Sequence, residues 1–350
     1  MIKPLTSFRF IFAFFVFLSH LGFLKDSKVF ELKWFYNNIF EEGYIGVSFF
    51  FILSGFVLSY SYQNNLIINK INIKKFYIAR IARIFPLHVF TFILSIPLTY
   101  SIFIENKKFW LFQAFTNLSL IHSFIPIKNI YFSFNGPSWS ISCEIFFYFI
   151  FPFIIFFISK YNQFKTILVF LIFTFPILIF LIPNNWYHSL FYINPIFRII
   201  DFIIGILICW LFKISNSKKI SLNYTFLEIS SIFLFILFFY LHSSVIEVAR
   251  YSFYYWLPIS YIIFSFSFQK GIISKILSHN LLIYLGELSF AFYLFHQLVI
   301  NYFEKLNQKF FHIENEIIIV LILLFVSIFL SHLSHKYIEL KLKKKIIHKF

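Results

Sequence analysis

Ten runs of about eighteen or more apolar residues divide this chain, each close to the length a helix needs, at about 1.5 Å per residue, to cross the roughly 30 Å hydrocarbon core of a bilayer. They lie near residues 5–23, 43–63, 82–104, 141–159, 166–182, 196–212, 226–243, 251–268, 285–303 and 316–335. Nothing else in the sequence restricts the fold as strongly. In hydrocarbon every backbone N–H and C=O must be paired within the protein, which leaves helices or a closed barrel, and uninterrupted runs of this length specify helices. The stretch 109–125 is apolar but broken by Trp110, Asn117 and His122, so it reads as a re-entrant or interfacial helix. If it crosses, the count becomes eleven. The expected fold is therefore an all-α integral membrane protein of about ten transmembrane helices. Composition agrees, with 60% of residues hydrophobic and 13% charged, the latter about half the share of an ordinary soluble domain. The 59 Phe are spread through runs and loops alike and carry no functional meaning.

The net charge of +16 does not point to nucleic acid, because the basic residues sit singly or in short clusters between apolar runs rather than along one face. Counted on alternate sides of the runs, Lys and Arg divide nineteen to ten. The richer side holds Lys3, the 64–83 loop with Lys70, Lys74, Lys75, Arg80 and Arg83, then Lys160, Lys165, Lys213, Lys218, Lys219, Lys270, Lys275 and the C-terminal lysines. Positive residues collect in cytoplasmic loops, so both termini are expected in the cytoplasm. The first run carries Arg9 and has no small-residue cleavage site after it, unlike a secretory signal, and reads as a retained helix. The expected organisation is a single membrane domain over 1–345 and a short basic tail over 346–350, with no appended soluble domain. Two cysteines, Cys143 and Cys209, both in or beside apolar runs, support neither a disulfide framework nor a thiolate metal site.

Ionisable groups inside membrane helices cost several kcal/mol each and mark function. Arg9 and His20 share the first run, eleven residues apart, which places them on one face about 16 Å apart along a helix, with Arg9 at the cytoplasmic end and His20 at the outer end. Arg80 and Arg83 share a face at the start of the third run, at the depth of Arg9. Three guanidinium groups there suit an anion, since the planar fork donates to phosphate in pairs; as isolated groups they would be interfacial anchors. Glu144 begins the fourth run at a depth comparable with His20, where a carboxylate can orient an imidazole or accept its proton, or simply favour a helix N-terminus. Arg198 and Asp201, three apart in the sixth run, most simply neutralise one another, and His296 is an imidazole within the ninth.

Several chemistries are absent from the sequence: there is no H-E-x-x-H, no G-x-S-x-G, no Walker A loop and no clustered Cys/His for a metal. The His-x4-Asp of glycerolipid acyltransferases also fails, because Asp26 follows His20 after five residues. The polar residues that remain lie in ordered segments. Leu5-Thr6-Ser7-Phe8-Arg9 with His20, Gly43-Tyr44-Ile45-Gly46 leading to Leu53-Ser54-Gly55-Phe56, and Arg80-Ile81-Ala82-Arg83-Ile84-Phe85-Pro86 are followed by Trp139-Ser140-Ile141-Ser142-Cys143-Glu144-Ile145-Phe146-Phe147-Tyr148 and by Leu285-Gly286-Glu287-Leu288-Ser289-Phe290-Ala291-Phe292-Tyr293-Leu294-Phe295-His296. In order and spacing the chain resembles the membrane-bound acyltransferase family 3, integral membrane enzymes that O-acylate surface polysaccharides and similar acceptors. It departs from the family pattern at Ser48, where many members have Asp, at Ile145, where a second Glu is common, and at Phe290, where Tyr is usual.

The resemblance implies an O-acyltransferase of the bacterial cytoplasmic membrane that uses acyl-CoA, most commonly acetyl-CoA, as co-substrate and holds no permanent cofactor or metal. It implies donor binding by Arg9, Arg80 and Arg83, His20 as general base or transient acyl carrier, and Glu144 as the group that orients or charge-stabilises it. Ser140, Tyr293, His296, Arg198 and Asp201 are further candidates. The partners expected are the donor, a carbohydrate or lipid-linked sugar acceptor and membrane lipids, with no nucleic acid. The competing class is a transporter or flippase for a polysaccharide or lipid intermediate, its buried charges lining a pathway.

Overall fold

The structure, a computed structural model, describes residues 2–67, 72–161, 163–217 and 223–349. Lys70, Lys218 and Lys219, counted above for orientation, lie outside the described residues. Among the described residues every regular element is helical, as backbone pairing in hydrocarbon requires. The main helices in chain order are α1 (Lys3–Ser19), α2 (Gly46–Ile67), α3 (Ile73–Ser95), α4 (Lys107–Leu118), α5 (Ser138–Lys160), α6 (Phe164–Thr174) and α7 (Pro195–Ser217). They continue with α8 (Tyr224–Tyr240), α9 (Trp256–Ser267), α10 (Ile272–Leu277), α11 (Asn280–Leu306), α12 (Glu316–Ser334) and α13 (Leu340–Lys349).

Six continuous helical stretches are long and apolar enough to cross a membrane: Phe30–Gln63, Ile73–Glu105, Ser138–Lys160, Pro195–Ser217, Asn280–Phe311 and Glu316–Ile346. Two shorter apolar stretches, Phe164–Phe180 and Tyr224–Tyr240, match two more of the expected runs. The remaining two fall on α1, of 17 residues, and α9, of 12. The interrupted stretch 109–125 holds α4, 12 residues long, or about 18 Å, well short of the ~20 residues a crossing takes. The first run was expected to stay helical to residue 23, but α1 ends at Ser19. His20 and Leu21 bond back three residues, to the carbonyls of Phe17 and Leu18 at 3.1 and 3.2 Å, so the helix tightens and His20 is the first residue beyond it.

The chain divides into two compact units. The first comprises Met1–Arg9, Val47–Tyr77 and Cys143–Gly286. Within it α9 packs on both α7 and α8, and α2 crosses α7 at Gly55 and Gly205. A Cβ on Gly55 would lie 2.0 Å from the Phe202 carbonyl oxygen, and one on Gly205 would lie 1.9 Å from that of Ile52. Only hydrogen fits at that backbone-to-backbone contact, the small-residue crossing that membrane helices favour. Among the described residues two acids are buried in this unit, and both are satisfied. Asp201 meets Arg198 at 2.9 Å, with neither side chain exposed. Glu228 of α8 accepts from the backbone N–H of Gly271 at 2.9 Å and of Ser274 at 3.1 Å, and from the Ser274 hydroxyl, which fixes the start of α10.

The second unit comprises Phe10–Gly46, Ile78–Ser142 and Glu287–Phe350. A Cβ on Gly43 would stand 2.1 Å from the Phe15 carbonyl oxygen, and one on Gly46 would stand 2.5 Å from that of Phe12. The Gly43-Tyr44-Ile45-Gly46 segment therefore lies directly on the backbone of α1, just before His20. The short α4, the loops that follow it and the first turn of α5 are joined by buried polar groups rather than by an apolar core alone. Asn117 donates to the Ser133 carbonyl at 2.8 Å and to the Ser138 hydroxyl at 3.1 Å, and that hydroxyl lies 3.2 Å from His122 Nε2. His88 of α3 reaches the Asn117 carbonyl through Nε2 at 3.1 Å.

Candidate active site

The second unit brings four of the expected residues into a connected line. His20 follows α1 directly, and its Nδ1 lies 2.7 Å from the Val16 carbonyl oxygen. A carbonyl can only accept, so the proton is assigned to Nδ1 and the lone pair to Nε2, the form of imidazole that takes a proton from a hydroxyl. His296 of α11, fully buried, places its Nε2 3.3 Å from the same Nδ1, with ring centroids 4.9 Å apart. Two groups thus fix the orientation of His20, which as a residue is exposed at the end of α1. A general base needs both a fixed direction and an open approach.

One turn before His296 on α11 is Tyr293, whose ring centroid is 5.7 Å from that of His296. Ser140 in the first turn of α5 donates to the Tyr293 hydroxyl at 2.8 Å, and Tyr293 donates to the Pro137 carbonyl at 3.3 Å. Asn135, in the preceding loop, donates to the Leu294 carbonyl at 3.0 Å and so ties that loop to α11. The Ser138-Trp139-Ser140-Ile141-Ser142 segment is locked from several directions. Ser138 contacts His122, Ser140 contacts Tyr293, and Ser142 accepts from Ser123 at 2.6 Å and donates to the Leu120 carbonyl.

Glu144 belongs to the first unit, where it accepts from the Tyr148 hydroxyl one turn further along α5 at 3.2 Å. The resemblance implied that Glu144 orients or charge-stabilises His20; within the unit of His20 itself, Val16 and His296 contact its Nδ1. Arg9 lies half-buried on α1 in the first unit, and Arg80 and Arg83 lie half-buried on α3 in the second. A further cation joins the latter two: Lys343 of α13 stands within electrostatic reach of Arg83 and Arg80.

Arg198 and Asp201 form their ion pair in the first unit. Arg198 also donates to the Ser48 hydroxyl at 2.8 Å and to the Tyr251 carbonyl, while the Trp256 indole donates to Asp201. Phe51 lies under the guanidinium, its ring centroid 5.1 Å from Cζ. Ser48, which departs from the family pattern, is therefore a neutral neighbour of Arg198, and the opposing charge comes from Asp201 on the same helix.

His88 and Asn135 are polar groups of the second unit that sequence reasoning missed. His88 carries a readable signal, an imidazole inside the 82–104 run, five residues past Arg83. Asn135 carries none, since its place is set by a contact across 159 residues. Among the described residues no group of three or more His, Cys, Asp or Glu is arranged to hold a metal ion.

Comparison with known proteins identifies the family of the chain. The profile of an acyltransferase domain family matches residues 4–335. The acyltransferase MdmB of Streptomyces mycarofaciens is 34% identical over 157 residues, 43% of this chain and 38% of its own length. A Staphylococcus aureus strain COL protein, named Putative O-acetyltransferase SACOL0978, is 24% identical over 336 residues, 87% of this chain and 53% of that protein. The chain thus spans about half the length of the staphylococcal relative and less of MdmB. No solved structure matches it. With the family profile covering almost every residue, and the motif residues of the second unit meeting around His20, the chain belongs to the membrane-bound acyltransferase family 3.

Proposed function

We propose that the chain is a membrane O-acyltransferase that moves an acyl group, acetyl in the first instance, from cytoplasmic acyl-CoA to a hydroxyl of an envelope carbohydrate. The observation that carries this reading is His20, an exposed residue at the end of α1, with Nδ1 engaged by Val16 and His296 and Nε2 left as a base. In the proposed reaction Nε2 takes the proton of the acceptor hydroxyl as its oxygen attacks the thioester carbonyl. The C–S bond then breaks, and the protonated imidazole returns the proton to the departing CoA thiolate. Positioned acid–base groups of this kind contribute roughly 10²–10⁴-fold. Arg80 and Arg83, with Arg9 on α1, are assigned to the donor's phosphates, where bidentate donors suit the charge. Glu144 is assigned to stabilise the charged imidazole. The reading places the chain in the bacterial cytoplasmic membrane with both termini inside, ten spans and one catalytic membrane domain.

Acetyl-CoA supplied to membranes carrying the chain tests it directly. Free CoA thiol should appear together with acetyl groups on extractable envelope carbohydrate, and His20→Ala at matched protein level should abolish both. A flippase would move its intermediate with no thiol released. Undiminished transfer by His20→Ala would refute the role given to His20.

A further inference from the structure

A second feature of the second unit is an elongated apolar cavity of about 780 Å³ between α12 and the pair α3 and α11. Phe90 of α3, Phe303 of α11, and Val326 and Leu330 of α12 border it, and beyond α12 Tyr337 and Ile338 also line it. From Ile322 in α12 to Ile338 just beyond it the lining spans seventeen residues, about 24 Å at ~1.5 Å per residue, which exceeds the ~15 Å depth of one bilayer leaflet.

The cavity exists because α12 is thinly attached. Its buried residues are Leu323, Ser327, Ser331 and Ser334, a narrow strip of one leucine and three serines. The larger Phe325 and Phe329 point outward, 70% and 50% exposed. Small residues bring the helix close along that strip but leave the apolar side chains beside it without partners. An empty space so lined forfeits dispersion contacts. Water does not fill it favourably either, since a buried water needs two to four polar partners. A hydrocarbon chain satisfies it, and the bilayer supplies one.

The Tyr337 end is charged. Lys336 and Lys341 hold their ammonium groups 5.3 and 5.0 Å from the Tyr337 ring centroid. One turn or so beyond, Lys343 lies within reach of Arg83 and Arg80. Glu339, the acid in this segment, is paired with His335 at 3.3 Å. An apolar cavity that reaches a tyrosine with two ammonium groups beside its ring has the order of a phospholipid: chain, ester region, phosphate. We infer that this cavity and its Lys336–Tyr337–Lys341 mouth bind one anionic glycerophospholipid, an acyl chain along α12 and the phosphate between the two lysines. The inference is independent of the acyl-transfer reaction.

Native mass spectrometry of the full chain in neutral detergent, titrated with phosphatidylglycerol or with phosphatidylcholine of the same chains, tests it. One phosphatidylglycerol should bind per chain, and more tightly than phosphatidylcholine. Each of Lys336→Gln and Lys341→Gln should weaken phosphatidylglycerol about fivefold, as expected for one basic residue at a lipid surface, while leaving phosphatidylcholine unchanged. Val326→Trp, which fills the cavity, should remove both. Should that variant fail to fold, phosphatidylglycerol carrying a diazirine in its chain gives a second readout on the unaltered protein, with labelling concentrated on peptides that contain Phe303, Val326 or Leu330. Equal affinity for the two lipids, or labelling spread evenly over all lipid-facing helices, overturns the inference. So does a polyprenyl phosphate that binds tenfold more tightly than phosphatidylglycerol.

Discussion

Gly43→Ala tests whether the position of His20 depends on the backbone contact beneath it. The new methyl would stand 2.1 Å from the Phe15 carbonyl oxygen and 2.8 Å from its carbon, where real Cβ contacts essentially never fall below 3.0 Å. The obstructing atoms are backbone, so no side chain can swing aside, and the Gly43 segment and α1 must separate by about 1 Å. Phe15 precedes Val16, whose carbonyl holds Nδ1 of His20, so the displacement reaches the base directly. A misplacement of that size at a catalytic group costs on the order of 10²-fold in rate, or about 2.7 kcal/mol of barrier. The assay is initial-rate thiol release with acetyl-CoA, protein matched through a C-terminal tag. Turnover should fall about a hundredfold while the donor KM stays within about twofold, because Arg80 and Arg83 lie on α3 and Arg9 lies six residues before the obstructed Phe15 on α1. Gly136→Ala is the internal control, since a Cβ there meets nothing within 4 Å. If Gly43→Ala keeps turnover within about threefold of the unaltered chain at equal protein level, the link between this glycine and the placement of His20 is refuted.

Other substitutions probe the remaining assignments. His296→Gln, which acts only through His20, should lower kcat by about tenfold, less than the loss expected for the base itself, with donor KM unchanged; a shift confined to KM would instead make His296 a binding residue. Arg83→Ala should raise the donor KM and leave the acceptor KM alone, and Arg83→Lys should recover only part of the loss because the bidentate fork is gone; equal donor affinity in all three proteins rules the role out. Asp201→Asn leaves Arg198 buried without its counter-ion and should cost about 3–5 kcal/mol, whereas Arg198→Met with Asp201→Leu should recover most of it. Thermal unfolding in detergent, followed by tryptophan fluorescence, measures both, and an unchanged midpoint for the single variant would remove the ion pair from the list of what holds this unit together.

The parts of the fold written in local pattern were legible in the sequence. Each of the ten apolar runs falls on a helix, and the short α4 coincides with the one stretch whose apolar pattern is interrupted. Arg198 with Asp201 and Glu144 with Tyr148 also follow from spacing, since residues three or four apart on a helix are neighbours. The candidate site was legible only as an inventory. His20 and His296 are 276 residues apart, and no periodicity states that one imidazole will buttress the other. The end of α1 was misjudged by four residues because Leu21 and Phe23 continue the hydrophobic pattern, while the backbone has already tightened to i→i−3 bonding. Hydropathy reports what surrounds a residue, not where a helix stops.

The two buried acids of the first unit differ in where their partners lie along the chain. Asp201 has Arg198 three residues earlier on the same helix, so α7 can leave the ribosome and enter the bilayer as a nearly neutral segment that carries its own counter-ion. Glu228 must wait for Gly271 and Ser274, more than forty residues downstream. Until that stretch has been synthesised, the Glu228 carboxylate lacks these donors, and burying that end of α8 would leave it without them. The order in which these helices settle during biogenesis is thus set by chain distance as well as by packing: α7 can commit early, and α8 is secured only when α10 arrives.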